Sequence, residues 1–319
     1  MVEIFGRGLR EVINDTPLYL SLVKRYCGIR LFRKRYPLLA SVDVSNICNL
    51  HCLHCYWWLN RKEETSLCVE EWRRIIRSML KGKVIHVGIV GGEPLLHMDL
   101  VKVFCEEMPR HVSVVTNGTL PLQRLEGLYF YFVSIDGNRD VHDQIRGKGS
   151  YDRTKKNIFD YIEHYSDNRY KAWKDIWLSL TINSLNYMSI EDCVDEWHGR
   201  VNKIAVQFHT PFIKRDPLLL PFGKKRDDVI LKLLKLKKKY PKFIANQSKQ
   251  LELLRKSWGG KGTTPISCPS WAILSLDHMG RVKRPCCIGS ADTDGIKPIC
   301  EECGLSSYAM LYCYGIRNA

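Results

Sequence analysis

Between Leu38 and Pro211 the chain repeats one pattern: a short apolar, β-branched run ending in polar or glycine residues, then a longer stretch with helical spacing. The runs are LLASVDVS (38–45), HVGIVGG (86–92), VSVVTNG (112–118), FYFVSIDG (130–137), DIWLSLTIN (175–183) and KIAVQFHTP (203–211). Strands that alternate with helices predict an α/β fold with a parallel sheet of six strands, open or curled into a partial barrel. No apolar run approaches the roughly 18 residues of a membrane span, and charges break the N-terminus where a signal peptide needs an apolar core. The expected compartment is the cytosol.

The polar residues concentrate at one edge of this sheet. The cysteine cluster, Gly91-Gly92-Glu93-Pro94, Thr116-Asn117-Gly118, Ser134-Ile135-Asp136-Gly137, Thr181-Ile182-Asn183 and Gln207-Phe208-His209 all fall at or just after the C-terminal end of a predicted strand. Parallel α/β folds build their active sites at that edge. One shared pocket explains six polar turns better than six unrelated connections.

Charge adds a partner class. The formal net charge of +15 calls for an acidic partner: nucleic acid, a phosphate-bearing substrate or an anionic membrane. RLFRKR (30–35) closes an N-terminal segment whose Leu9, Val12, Ile13, Leu18, Leu20, Leu22 and Val23 suit an amphipathic helix or two. KKRDDVILKLLKLKKKYPK (224–242) groups Ile230, Leu233 and Leu234 on one helical face, with lysines around the rest. Such segments fit a solvated helix packed on the domain or a peripheral membrane contact.

In a reducing compartment the thirteen cysteines read as metal ligands or reactive thiols before disulfides. Cys27, Cys68, Cys105 and Cys193 stand singly in helical segments and are expected to be small buried hydrophobes. Cys48, Cys52 and Cys55 share one short loop, CNLHCLHCY. A structural zinc site closes with four ligands, and His51 or His54 would have to complete it from inside the loop. Three thiolates alone suit an iron–sulfur cubane, normally held by four, with one iron left open.

The CxxxCxxC loop followed by Tyr56 at the end of the first strand, with GGEP at the end of the second, resembles the radical S-adenosylmethionine (SAM) superfamily over residues 38–211. The resemblance implies a partial (β/α)6, TIM-like barrel. It also implies a [4Fe-4S] cluster on Cys48, Cys52 and Cys55, whose open iron chelates SAM and whose electron releases methionine and a 5′-deoxyadenosyl radical. An electron donor of ferredoxin or flavodoxin type belongs with that chemistry. Gly91, Gly92, Glu93 and Pro94 would meet the SAM amino group, and Ser134 and Asp136 the ribose. Asn117 and Asn183 would take the ribose or carboxylate, and Tyr56 the adenine through its backbone. Arg146 resembles an arginine that pairs with the SAM carboxylate, against a surface-loop arginine. Gln207 and His209 would face adenine or substrate, with a hydrogen-bonded core histidine as the competing reading for His209.

Cys268, Gly280, Cys286 and Cys300-x2-Cys303 resemble the twitch or SPASM extensions that hold a further [4Fe-4S] cluster, with a zinc ribbon as the alternative. Cys287 could replace Cys286, Cys313 could replace or supplement the CxxC pair, and residues 266–289 read as a β-hairpin. The expected organisation is 1–37 as a basic amphipathic segment, 38–215 as the barrel, 216–267 as a basic helical linker and 268–319 as the auxiliary-cluster region. RKRYPLL, NQSKQLELLRK, SCPSW, a glycine followed by RPC, and a closing CxxC resemble, in that order, lipid-modifying radical SAM enzymes of the adenosylhopane synthase and calditol synthase kind. The expected substrate is therefore an isoprenoid membrane lipid. The alternatives are a maturase that modifies a peptide, and a basic zinc-bearing nucleic-acid-binding protein. The last leaves GGEP without a purpose, so no nucleic-acid partner is expected.

Overall fold

The computed structural model describes residues 16–61, 66–256 and 268–317. Seven strands form one sheet: β1 (Leu39–Asp43), β2 (His86–Val90), β3 (Val112–Thr116), β4 (Leu128–Ser134), β5 (Ile176–Ile182), β6 (Lys203–Phe208) and β7 (Ile273–Leu276). Their order is β6-β5-β4-β3-β2-β1-β7, and every pairing is parallel. The architecture is the α/β partial barrel expected from the alternation, with a seventh strand added. The polar termini of the runs, such as Thr-Asn-Gly after β3, form the loops.

The seventh strand is the first arm of the hairpin expected within 266–289, and it also joins the sheet. β7 lies parallel to β1 with Leu39 opposite Ile273 and Val42 opposite Leu276. The chain then turns and returns antiparallel: the Asp277 N–H donates to the Arg281 carbonyl at 2.9 Å, the Lys283 N–H to the Ser275 carbonyl at 2.8 Å, and Leu276 bridges Val282. An exposed edge of β1 would leave a row of unpaired backbone groups, and β7 satisfies them. A buried ion pair fixes the return: Lys283 Nζ lies 2.6 Å from Asp43 Oδ2. The cysteine-rich segment is thus built into the barrel wall.

The other edge is closed by the segment expected as a linker. The helix α7 (Lys224–Lys239) buries Val229, Ile230, Leu233 and Leu236, with Leu234 half-buried, so it is a packed helix with solvated lysines. Beyond it, Asn246 imitates a strand: its Oδ1 accepts the Val206 N–H at 2.7 Å, and its Nδ2 donates to the Val206 carbonyl at 2.9 Å. Between the two edges stands α9 (Ser306–Cys313). On one side the Phe208 N–H donates to the Gly304 carbonyl at 3.0 Å, and on the other the Cys287 N–H donates to Tyr308 Oη at 3.1 Å.

The outer face of the sheet carries α2 (Val69–Lys81), α3 (Met98–Glu107), α5 (Ser150–Tyr165) and α6 (Ile190–Trp197), packed on the strand residues that point away from the barrel axis. In α2, Trp72, Ile76 and Met79 recur at helical spacing and are buried. Cys105 and Cys193 are small buried residues, as expected. Cys68 is not: it is exposed at the N-cap of α2, where its N–H donates to the Glu71 carboxylate at 2.8 Å. Cys27, on α1 (Thr16–Phe32), is half-buried. Residues 1–15, including Leu9, Val12 and Ile13, lie outside the described residues. Among the described residues no helix is long and apolar enough to cross a membrane.

The inward face decides what the barrel can contain. TIM-type interiors are filled by layers of bulky branched side chains. Here the middle layer is Ser41, Gly88, Ser113, Ser179 and Ala205, and these small residues line a cavity of about 2100 Å³. Below them stand Phe130 and Trp177, stacked at 4.5 Å, and above them Ser134, Thr181 and Gln207. The interior is hollow, aromatic at the foot and polar at the mouth. Asn246→Ala would leave the buried Val206 N–H and carbonyl unpaired, and it is expected to lower the urea unfolding free energy by about 3 kcal/mol, read by circular dichroism.

Candidate active site at the mouth of the barrel

The loop after β1 carries the three clustered cysteines around the mouth. It is held from three sides. The Leu53 N–H donates to the Ile145 carbonyl at 2.9 Å, and the His51 ring stacks on Trp58 at 4.3 Å. Asn49 accepts from Asn117 Nδ2 at 2.8 Å and donates to Thr119 Oγ1 at 2.9 Å. The third contact is backbone to backbone: the Gly92 N–H donates to the Ser45 carbonyl at 3.1 Å and the Glu93 N–H to the Ile47 carbonyl at 2.8 Å. A Cβ on Gly92 would stand 1.9 Å from the Ile47 oxygen. Gly91 has φ +117, and a Cβ there would meet the Ser45 oxygen at 3.0 Å. The glycines admit the cysteine loop, and both also line the cavity.

Cys48, Cys52 and Cys55 line the same cavity. Burial pushes the Cys48 thiol up to about 12 and raises Cys52 and Cys55, and each feels its neighbours. Left alone the loop holds neutral thiols, so only a bound cation makes it a set of thiolates. Among the described residues no three Cys, His, Asp or Glu side chains close around a point as one metal ion requires. A cubane takes each thiolate on a different iron, so spread thiols on one buried loop fit an iron–sulfur cluster better than zinc.

His54 does not complete a zinc shell. Among the described residues it belongs to no group of three candidate ligands; it lies 3.7 Å from Asp136, and burial lowers its pKa to about 4.

Glu93 is buried at the N-cap of a short 3-10 turn, Pro94–His97, where Pro94 occupies the first turn. Its Oε1 accepts from the Leu95 N–H at 3.0 Å and the Thr116 hydroxyl at 2.7 Å, and its Oε2 from the Asn117 N–H at 2.8 Å. Burial raises its pKa. With three of about four lone-pair sites used, Oε2 keeps one acceptor site for a cation at the cavity wall. Pro94 is the first residue of the turn, buried and not among the residues that line the cavity.

Two further expectations change. Asp136 is fully buried away from the cavity: its Oδ2 accepts from Arg146 Nε at 2.6 Å and its Oδ1 from the Thr181 N–H at 3.3 Å. Burial would raise Asp136, but the Arg146 guanidinium holds it below the ordinary value. Asn183 is also fully buried, its Oδ1 accepting from the Leu185 N–H at 2.9 Å and the Asn186 N–H at 3.3 Å in the turn after β5. Both lie past the last residue of their strands, where the chain has already turned. Ser134 and Thr181, still on their strands, face the cavity, and Gln207 Nε2 donates to Thr181 Oγ1 at 3.2 Å.

Arg146 is not a surface arginine. It ends α4 (Arg139–Arg146), is buried, and sets Nη1 3.9 Å from Cys52 Sγ. His209 lines the cavity with its Nε2 2.9 Å from Asp216 Oδ2, so it is both hydrogen-bonded and at the site. Asn117 and the Tyr56 ring line the cavity too; the ring stacks on Phe212 at 6.2 Å, with Lys283 Nζ 5.3 Å above it. Asn49 and Lys283 escaped the sequence reading. Asn49 carried one signal, a polar side chain inside a ligand-dense loop.

The second thiol group stands in the wall between β7 and α9. Burial, and after it the neighbouring Cys300 and Cys287, raise Cys268 and Cys303, whereas a hydrogen bond with Cys286 lowers Cys287 to about 7. Of the adjacent pair, Cys287 lines the cavity and Cys286 is buried; the two share a side-chain hydrogen bond, and Cys286 also feels Cys303. Cys313 stands apart, beside Lys249 and Arg317, so it does not supplement the CxxC pair. Gly92→Ala is expected to lose most of the iron bound at the cysteine loop, measured by iron content after anaerobic reconstitution. Gly88→Ala, whose Cβ would have 3.8 Å of room, should keep it.

Residues 42–173 match the family model described as the radical SAM superfamily. Over 134 residues the chain is 32% identical to the antilisterial bacteriocin subtilosin biosynthesis protein AlbA of Bacillus subtilis, covering 38% of this chain and 30% of that protein. It is 30% identical over 125 residues to the mycofactocin maturase MftC of Mycolicibacterium smegmatis, covering 36% and 32%. The matches span about a third of the length of these two curated relatives. Streptococcus suis SuiB bound to its precursor peptide SuiA shares the fold, with a TM-score of 0.63 over 94% of this chain and 70% of that one at 14% identity. The cysteine loop on β1, the glycine turn pressed against it and the parallel half-barrel beneath them belong to a radical SAM domain, which this chain carries.

Proposed function

We propose that this chain is a radical SAM enzyme that modifies a peptide. The observation that carries the reading is the hollow barrel: three thiols at its mouth and Cys287 of the second thiol group open onto one cavity of about 2100 Å³. Small-molecule sites commonly measure about 300–1,000 Å³, so there is room for SAM and a large substrate together. The names of the relatives support the peptide: a bacteriocin biosynthesis protein, a mycofactocin maturase and a structure holding a precursor peptide.

Cys48, Cys52 and Cys55 hold a [4Fe-4S] cluster, which when bound supplies one electron to the sulfonium of SAM. Glu93 Oε2 accepts from the SAM ammonium. Arg146, its charge half-balanced by Asp136, offers Nη1 to the carboxylate beside Cys52. Ser134, Asn117, Thr181 and Gln207 present polar groups to ribose and adenine, and the Tyr56 backbone borders the adenine. Ser41, Gly88, Ser179 and Ala205 leave space below for the substrate. Cys268, Cys287, Cys300 and Cys303 hold the auxiliary [4Fe-4S] cluster, and a ferredoxin- or flavodoxin-type protein delivers the electron. A lipid substrate is the second reading, favoured by the stacked Phe130 and Trp177 at the foot of the cavity.

Protein purified without oxygen is expected to contain about eight irons per chain, four to a cluster, and to form 5′-deoxyadenosine from SAM and a reductant. Cys52→Ala and Cys287→Ala should each lose about half of that iron, whereas Cys286→Ala keeps it, and Cys52→Ala should form no 5′-deoxyadenosine. Zinc without iron would refute the enzyme. Deuterium passing from a labelled peptide library into 5′-deoxyadenosine supports the peptide, and transfer only from labelled lipid extracts replaces it with the lipid.

A further inference from the structure

We infer that residues 30–35 dock this protein on an anionic membrane surface. The inner side of α1 is firmly seated: Arg25 donates to the Lys83 carbonyl at 2.5 Å and the Gly82 carbonyl at 2.6 Å, Tyr26 Oη donates to the Tyr314 carbonyl at 2.9 Å, and Ile29 is buried. The end of the helix faces the other way. Leu31 and Phe32 are 72% and 71% exposed, the most exposed large apolar side chains among the described residues. All six residues of RLFRKR are exposed.

The corner is a built turn. Arg33 takes left-handed backbone at φ +51, a conformation that usually falls to glycine, and the Lys34 N–H closes the turn on the Gly28 carbonyl at 3.1 Å. Tyr36 Oη donates to the Arg25 carbonyl at 2.8 Å and packs where a Cβ on Gly28 would stand, 2.4 Å from that oxygen. The turn projects two apolar side chains together with Arg33, Lys34 and Arg35, while Arg30, though exposed, donates to the Gly315 carbonyl at 3.1 Å.

Charge selects the occupant. No Asp or Glu occurs between residues 16 and 42, and Arg33, Lys34 and Arg35 have no carboxylate partner among the described residues. An adjacent leucine and phenylalanine ringed by cations match a lipid interface, where apolar side chains enter the headgroup layer and cations meet phosphates. A nucleic-acid backbone would use the cations but gives Leu31 nothing to bury in. The corner precedes β1 and so lies at the foot of the barrel, opposite the thiol mouth; Tyr26, Leu38 and Tyr314 line the cavity at that end. Docking there turns the aromatic foot toward the bilayer and leaves the cysteine loop open to an electron donor. The inference holds for either substrate class.

The test is co-sedimentation of the full chain with vesicles of phosphatidylcholine alone and of phosphatidylcholine mixed with phosphatidylglycerol. Binding at low salt should be at least tenfold stronger on the anionic vesicles and should fall as salt rises. Leu31→Ser with Phe32→Ser should weaken it on the order of tenfold. Arg33→Glu with Lys34→Glu and Arg35→Glu should abolish it, with circular dichroism unchanged. Lys224→Glu with Lys225→Glu, on α7, should have no effect. No binding to anionic vesicles, binding that survives both corner variants, or retention on RNA that such vesicles do not compete would overturn the inference. None of these readouts requires a loaded cluster, so failure of the enzymatic reading is separable.

Discussion

The structure turns on a backbone contact with no room for a side chain. The turn after β2 presses against the loop after β1 so closely that a methyl group on Gly92 would overlap the Ile47 carbonyl. Two N–H groups of that turn satisfy carbonyls of the cysteine loop, and Glu93, next in sequence, is thereby fixed to reach the β3 turn through Asn117 and Thr116. Asn117 carries the contact back to Asn49 between the cysteines. Three strand ends are joined by one circuit, and the three thiols face one space because the circuit is closed.

Beneath that circuit the barrel exchanges filling for volume. An interior of serine, glycine and alanine at the middle layer forgoes the packing that usually stabilises a barrel, and the loss is offset outside the sheet. There Trp72, Phe104, Ile158 and Trp197 are fully buried among the helices. The sheet edges are also secured, by β7 on one side and by Asn246 and Gly304 on the other. Electrostatics at the mouth follows the same division. The Arg146 charge is balanced from below by Asp136, and Lys283 by Asp43, so buried cations stand beside both thiol groups with paired counter-ions.

Much of this was legible in the sequence. The six strands could be read because short β-branched runs alternate with stretches of helical spacing, and the pocket edge because polar residues ended every run. The cysteine loop, Glu93, Ser134, Gln207 and His209, singled out that way, line the cavity. Asp136 and Asn183 stand one or two residues past the strand ends, where the backbone has turned, and buried partners engage their side chains off the cavity. Arg146 was ambiguous because an arginine beside glycines reads as surface until Asp136, ten residues away, is known to lie against it. The place of β7 in the sheet was not legible, because a four-residue strand takes its neighbour from the edge it completes.

Local order in the chain determined the strands, the helices, the shared edge and the thiol loop, since each depends on periodicity, turn chemistry and residue spacing within a short window. Tertiary structure alone decided which groups face one another: Lys283 with Asp43 across 240 residues, Asn49 with Asn117, and Cys287 with Cys268 and Cys303. It also decided that the barrel is hollow, because a ring of small residues drawn from five strands encloses space only once the strands have curled around it. Spacing along a chain constrains near neighbours, whereas a cavity and a buried ion pair are properties of closure.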